Sequence, residues 1–142
     1  MMASATHRWL LPAILFGSVY LVVGVWFPNP SVPSATQFLW RLGAWVICAV
    51  AFGMHIGLEH GRFRSSPLGT ALHASSSVAV GACGLAIAAN VHAFNTGTGN
   101  PRLLRLALVI WPVVTGVPAF VVAWVAAAGL ARVRRNDVRS SA

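Results

Sequence analysis

The sequence predicts an all-α fold, an integral membrane bundle of four helices with the N- and C-termini in the cytoplasm. Of its 142 residues, 57% are hydrophobic and only 8% are charged, whereas about a quarter of an ordinary soluble domain is charged. The mean hydropathy is +0.73. Four apolar stretches approach or exceed the roughly 20 residues that a helix needs to cross the hydrocarbon core of a bilayer. Because these stretches are continuous and do not alternate with polar residues, they favour helices over the strands of a membrane barrel.

The four predicted spans follow one another with short connectors, so the chain is expected to form a single transmembrane domain. The spans cover residues 9–27, 38–58, 68–94 and 103–131, and residues 132–142 form a basic cytoplasmic tail. Two helix starts are marked clearly. Ser66 precedes Pro67 and Asn100 precedes Pro101, and in each pair a capping residue is followed by proline at the first helical position.

The arginines predict the orientation of the chain. With four spans, the side that holds both termini carries seven of the ten arginines and the other side carries three. The positive-inside rule places the richer side in the cytoplasm, which predicts a multi-pass protein of the cell inner membrane. The net charge of +8 flanks the spans and suits anionic lipid headgroups. We therefore expect lipid contacts and no nucleic acid.

The third span is unusually rich in small residues. Sixteen of its 27 residues are Gly, Ala, Ser, Thr or Cys, and small residues let membrane helices approach closely. We expect this helix to pack on most sides, against the other spans or against a partner subunit. The packing residues lie in two rows, one formed by Ala71, Ser75, Ala79 and Cys83 and the other by Ser77 and Gly81.

The tryptophans are predicted to contact lipid or a pigment. Trp26, Trp40, Trp45 and Trp111 fall in the outer half of the predicted bundle, and tryptophan is enriched at membrane interfaces. An aromatic belt explains most of them. Trp45 lies one turn deeper than Trp40, where it is able to face a partner, a lipid or a pigment.

One polar group of residues lies where the second span ends and the third begins. His55 and Glu59 are four residues apart and share a helix face, and His73 lies about two turns into the next helix. Because the chain reverses direction between them, His55 and His73 are expected at similar depth. The group consists of His55, Glu59, His60, Arg62, Arg64 and His73.

Three interpretations of this polar group remain open. In the first, His55 and His73 ligate a haem iron from facing helices, since imidazole is a good iron ligand. In the second, the two histidines and Glu59 form a metal site or a proton relay. A small transporter centred on Glu59 would use the same group of residues. In the third, Glu59 pairs with Arg62 or Arg64 and fixes the turn. We favour the third, because it needs no cofactor.

The remaining residues argue against catalysis. The sequence contains no Walker, HExxH or GxSxG motif. Cys48 and Cys83 fall near the middle of their spans, where a cysteine acts as a small apolar residue, and no CxxC pair supports redox chemistry. We expect that the protein is not an enzyme.

In size and composition the chain resembles the small polytopic accessory subunits of respiratory and photosynthetic membrane complexes. That resemblance implies a role in electron transport or photosynthesis, with other membrane subunits as partners. The leading hypothesis is a non-catalytic accessory subunit that acts by helix packing and by lipid or pigment contact. The alternatives are a haem-binding electron-transfer protein that uses His55 and His73, and the transporter centred on Glu59.

Overall fold

A computed structural model, which describes residues 9–27 and 33–140, shows four helices in this part of the chain. These are α1 (Leu10–Trp26), α2 (Ser34–Gly61), α3 (Pro67–Thr96) and α4 (Pro101–Ser140). The helices α2, α3 and α4 are long and apolar enough to cross a membrane, and α1 is a shorter apolar helix. The all-helical fold is thus confirmed for the described residues, and the three long apolar helices indicate a membrane-embedded protein.

The helices differ in length from the predicted spans. At 1.5 Å per residue, the 17 residues of α1 reach about 25 Å, at the lower limit for a spanning helix. The 40 residues of α4 reach about 60 Å, twice the hydrocarbon thickness. This helix continues into the segment predicted as a basic tail, and it runs through both Pro112 and Pro118.

Both predicted helix starts are present. The Ser66 hydroxyl accepts a hydrogen bond from the backbone N–H of Gly69 at 3.1 Å, and the Asn100 side chain accepts one from the N–H of Arg102 at 2.9 Å. Each cap satisfies one of the backbone donors that a helix start leaves free. The third helix therefore begins directly after the turn that ends α2.

Helix α3 lies at the centre of the bundle. It packs against all three other helices, most extensively against α4 and α1, whereas α1 and α4 make no contact within the described ranges. The row that contains Ser75 and Ala79 faces α4, since a Cβ on Gly116 would lie 3.4 Å from the Ala79 Cβ. In the other row, Gly81 faces α1, and the Ser77 hydroxyl lies 3.2 Å from Nδ1 of His55 on α2.

The closest approach is between α1 and α3. A Cβ added to Gly81 would lie 2.7 Å from the Cβ of Tyr20 and 3.0 Å from the carbonyl oxygen of Gly17. Only glycine fits at this position, because these neighbouring atoms belong to, or adjoin, the α1 backbone. The small residues of α3 thus determine the distance between these helices.

We expect Gly81→Ala to lower the thermal unfolding temperature of the protein in detergent. The added methyl group forces α1 and α3 apart, and overpacking of this kind typically costs about 1–3 kcal/mol. Gly53→Ala is the matched control, because a Cβ there meets nothing within 4 Å. Equal unfolding temperatures for the two variants would contradict the close approach.

Candidate polar site at the α2–α3 turn

The turn between α2 and α3 is held by Glu59 and Ser65. The backbone N–H of Ser65 donates to the carbonyl oxygen of Glu59 at 3.1 Å, and the Ser65 hydroxyl donates to Oε2 of the Glu59 side chain at 2.8 Å. Arg64 has a φ of +50°, which reverses the chain between these two residues. The turn therefore folds back over the carboxylate and helps to enclose it.

Glu59 is almost completely buried. Its side chain is 1% exposed, and a buried carboxylate needs hydrogen-bond or ion-pair partners because it has lost its hydration. His73 supplies the second contact to Oε2, with its Nδ1 at 2.9 Å. When Nδ1 of His73 carries a hydrogen, it donates to the Glu59 carboxylate.

The second imidazole lies on the other side of the carboxylate. His55 is fully buried, and its Nε2 is 3.9 Å from Oε1 of Glu59. Its Nδ1 is 3.2 Å from the hydroxyl of Ser77, and that hydroxyl also donates to the backbone carbonyl of His73 at 3.0 Å. Because a hydroxyl has a single hydrogen, Nδ1 of His55 donates to Ser77.

These assignments leave a gap between His55 and Glu59. The 3.9 Å separation is too long for a hydrogen bond, and neither Nε2 of His55 nor Oε1 of Glu59 has a partner among the described residues. In the neutral imidazole, Nε2 presents a lone pair towards a carboxylate oxygen. The two atoms therefore face each other without a hydrogen bond between them.

Helix α1 covers both imidazoles with aromatic rings. Phe16 stacks on His55 with ring centroids 4.5 Å apart, and Trp9 stacks on His73 at 5.1 Å and an interplanar angle of 4°. His55 is sealed from the surface, whereas the His73 side chain remains 27% exposed. His73 is thus the one of the two histidines that reaches the surface.

The predicted polar residues are brought together only in part. His55, Glu59 and His73 form one cluster, but Arg62 and Arg64 are exposed. Within the described ranges the ion-pair contacts of Glu59 are made with the two histidines and not with arginine. The imidazoles lie closer to the Glu59 carboxylate than the arginine side chains do, because the packing of α2 on α3 turns Glu59 inwards, away from the surface of the turn. His60 is partly buried, and its Nδ1 has no described partner.

Four further residues contribute to this site and were not predicted from the sequence. They are Ser65, Ser77, Trp9 and Phe16. Ser77 follows His73 by four residues, so a helical wheel of α3 places both on one stripe. Thr70 belongs to the same stripe and is fully buried. The stacking of the two α1 rings has no comparable sequence signal, because it depends on how α1 packs across the bundle.

The positions of His55, Glu59 and His73 can be compared with what a haem iron or another metal ion requires. Glu59 lies between the two imidazoles, so a haem iron bound by both histidines would require the carboxylate to move aside. A histidine that contacts a carboxylate through one nitrogen and has the other free is a common metal ligand, and His73 has this arrangement. Among the described residues, no group of three or more His, Cys, Asp or Glu is placed to hold a metal ion.

The other predicted contact residues lie in the apolar parts of the bundle. Trp26, Trp40, Trp45 and Trp111 are all at least 40% exposed, and Trp40 packs edge-to-face on Phe27. Cys48 and Cys83 are free thiols. Ala71 is fully buried in a cluster with Ile56, Ala74 and Ala123.

Comparison with known proteins identifies no relative. No protein-family model matches the chain, and no curated protein or solved structure is significantly similar to it. A function must therefore be argued from the geometry alone.

We expect the Glu59–His73 pair to be strongly coupled in a double-mutant cycle. Glu59→Ala and His73→Ala should each destabilise the protein in detergent, because each leaves a polar partner unsatisfied, and the double variant should lose less than the sum. The coupling should be about 1.5–3 kcal/mol, the usual range for a hydrogen bond to a charged group. The measurement is chemical or thermal unfolding.

The matched control for this cycle pairs Glu59 with the exposed His92. His92→Ala should add independently to Glu59→Ala, since His92 lies at the far end of α3. Simple additivity for Glu59 and His73 as well would show that the 2.9 Å contact contributes nothing to stability.

Proposed function

We propose that this protein is a non-catalytic accessory subunit of a larger complex in the cell inner membrane. Its arginine-rich ends would face the cytoplasm, in accordance with the positive-inside rule. The protein would act by helix packing and by contact with lipid-soluble molecules. The observation that supports this proposal most directly is the position of α2.

Helix α2 has its buried side chains in one half only, the half next to the turn. Near the turn, Ala51, His55, Ile56 and Glu59 are buried. In the other half, residues 35–50 include no buried side chain. The neighbouring helix α3 buries Gly81, Ala82 and Ala86 in its corresponding half, whereas residues 101–122 of α4, like this half of α2, include no buried side chain.

Four of residues 35–50 are partly covered by the bundle, and the exposed remainder of this half of α2 offers surface for a partner helix. Lipid covers such a surface without specificity, whereas a partner helix gains packing contacts and excludes lipid. The apolar residues of this half of α2 include Phe38, Leu39, Val46 and Val50, each more than half exposed. An accessory role uses this surface, and it requires no reactive group.

A photocrosslinking amino acid at Val46 should capture a partner subunit in native membranes. We expect one protein adduct of defined mass at this position, and we expect the same protein to copurify in a fixed ratio with the wild-type chain in mild detergent. The control position is Val121 on α4, which has the same residue type and a similar exposure, 51% against 54%.

Lipid adducts alone are expected at Val121. The accessory role is wrong if both positions give only lipid adducts and the chain purifies as a lone monomer. An adduct formed equally at both positions would indicate nonspecific contact and would also count against it.

The buried Glu59 favours proton transfer as a second candidate function. Its carboxylate lies between two imidazoles, 2.9 Å from Nδ1 of His73 and 3.9 Å from Nε2 of His55. Buried ionisable groups in membrane spans commonly mark proton pathways. This candidate ranks second because residues 78–89 of α3 contain no ionisable group other than Cys83, so the outer half of the central helix does not continue the chain of acid–base groups.

If the second candidate holds, vesicles that contain the protein should dissipate a pH gradient faster than empty vesicles. Glu59→Gln should abolish the difference, because an amide cannot take up the transferred proton, while His92→Ala should retain it. The measurement is the fluorescence decay of a trapped pH-sensitive dye. An unchanged decay in the Glu59→Gln variant would exclude proton transfer through this residue.

A further inference from the structure

Four exposed arginines lie at one end of the bundle. Arg62 and Arg64 belong to the turn between α2 and α3, and Arg132 and Arg134 lie near the end of α4. None of the four makes an ion pair with another described side chain. The chain contains only two acidic residues, and Glu59 is buried against histidines, so a single acidic residue remains to balance this positive surface.

The two pairs of arginines lie at similar levels along the bundle. Ile56 of α2 and Ala123 of α4 belong to one buried cluster, and both helices run from this cluster towards the same end. Along the helix axis, Arg62 lies about 9 Å beyond Ile56, and Arg132 lies about 14 Å beyond Ala123. Because helices in contact are about 8–10 Å apart, the two pairs flank a short gap.

The turn that carries the first pair is held in one conformation. The backbone N–H of Ser65 donates to the carbonyl oxygen of Glu59 at 3.1 Å, and the Ser65 hydroxyl donates to the Glu59 carboxylate at 2.8 Å. The second pair lies on the continuous helix α4. Groups that are already in position lose little entropy on binding, which favours a discrete site over a general attraction between arginines and anionic headgroups.

Exposed apolar side chains lie among these arginines. Phe63, which is 38% exposed, separates the two arginines of the turn, and Val133, which is 60% exposed, separates the two on α4. Arginine binds phosphate oxygens with paired hydrogen bonds, and apolar side chains beside basic ones enter the acyl region of a lipid layer. An acidic protein segment satisfies the arginines alone, whereas a phospholipid satisfies both kinds of side chain.

We propose that the α2–α3 turn and the end of α4 together bind one anionic phospholipid that carries two phosphate groups. One phosphate accepts hydrogen bonds from the arginines of the turn, and the other accepts them from the arginines of α4. The acyl chains lie against Phe63 and Val133. A lipid with a single phosphate reaches only one pair, so the site prefers the two-phosphate class. This binding site goes beyond the accessory role and does not depend on it.

The test is a titration of the delipidated full-length protein in detergent with cardiolipin as the two-phosphate probe, followed by native mass spectrometry. We expect one cardiolipin per chain to bind saturably. Phosphatidylglycerol, which has one phosphate, should bind more weakly at equal phosphate concentration. Arg62→Gln and Arg132→Gln should each raise the dissociation constant for cardiolipin about fivefold, as expected for one arginine near anionic lipid.

Two further variants test the position and the chemistry of the site. Arg102→Gln is the matched control, because Arg102 is also exposed but lies at the start of α4, at the opposite end of the bundle, and this variant should bind cardiolipin like the wild type. Phe63→Ala should weaken the binding of cardiolipin but not that of polyglutamate, the probe for an acidic protein segment. The unfolding temperature in detergent checks that each variant is folded.

Three outcomes would overturn the proposal. Equal dissociation constants for cardiolipin and phosphatidylglycerol would remove the role of the second phosphate. An effect of Arg102→Gln as large as that of Arg62→Gln would show a general attraction of charges. Polyglutamate that binds more tightly than cardiolipin and is lost in Arg62→Gln would assign the surface to an acidic protein segment. None of these results depends on whether a partner subunit is found at Val46, so the two proposals fail separately.

Discussion

The burial of Glu59 is the constraint on which the rest of the structure depends. A carboxylate that is 1% exposed has to be satisfied inside the protein, and its neighbours come from every element around it. The turn contributes Ser65, α3 contributes His73, and α2 itself contributes His55 at the longer distance of 3.9 Å. Rings from α1 then cover the imidazoles. One acidic group thus fixes the relative positions of three helices and the turn.

Packing by small residues and packing by polar contacts are separated in this bundle. Helix α3 is held against α1 and α4 by close backbone approach at residues such as Gly81 and Gly116, and this contact extends along the helices. Helix α2 has its buried side chains at the polar cluster, and near its other end Trp40 packs on Phe27.

Contacts between residues close in the sequence were predictable, whereas contacts that depend on how one helix is rotated against another were not. The caps at Ser66 and Asn100 were predictable because a capping side chain contacts residues two or three positions ahead. The similar depth of His55 and His73 followed from the chain reversal. The partner of Glu59 was not predictable in this way. The pairing with Arg62 or Arg64 is close in sequence, but the observed pairing depends on which face α2 turns towards α3. Likewise, the small-residue rows were visible, but the neighbour that each row meets was not.

The polar cluster lies on the same helix as an apolar crevice of about 650 Å³ that is lined by residues of all four helices. Helix α2 is a single uninterrupted helix of 28 residues, with Phe52 in the crevice lining and His55 one turn further along. Between the two sites, Phe16, Tyr20 and Ala51 form an apolar cluster that separates the polar atoms from the crevice. The polar contacts of Glu59 and the apolar lining of the crevice are therefore two separate environments on one helix.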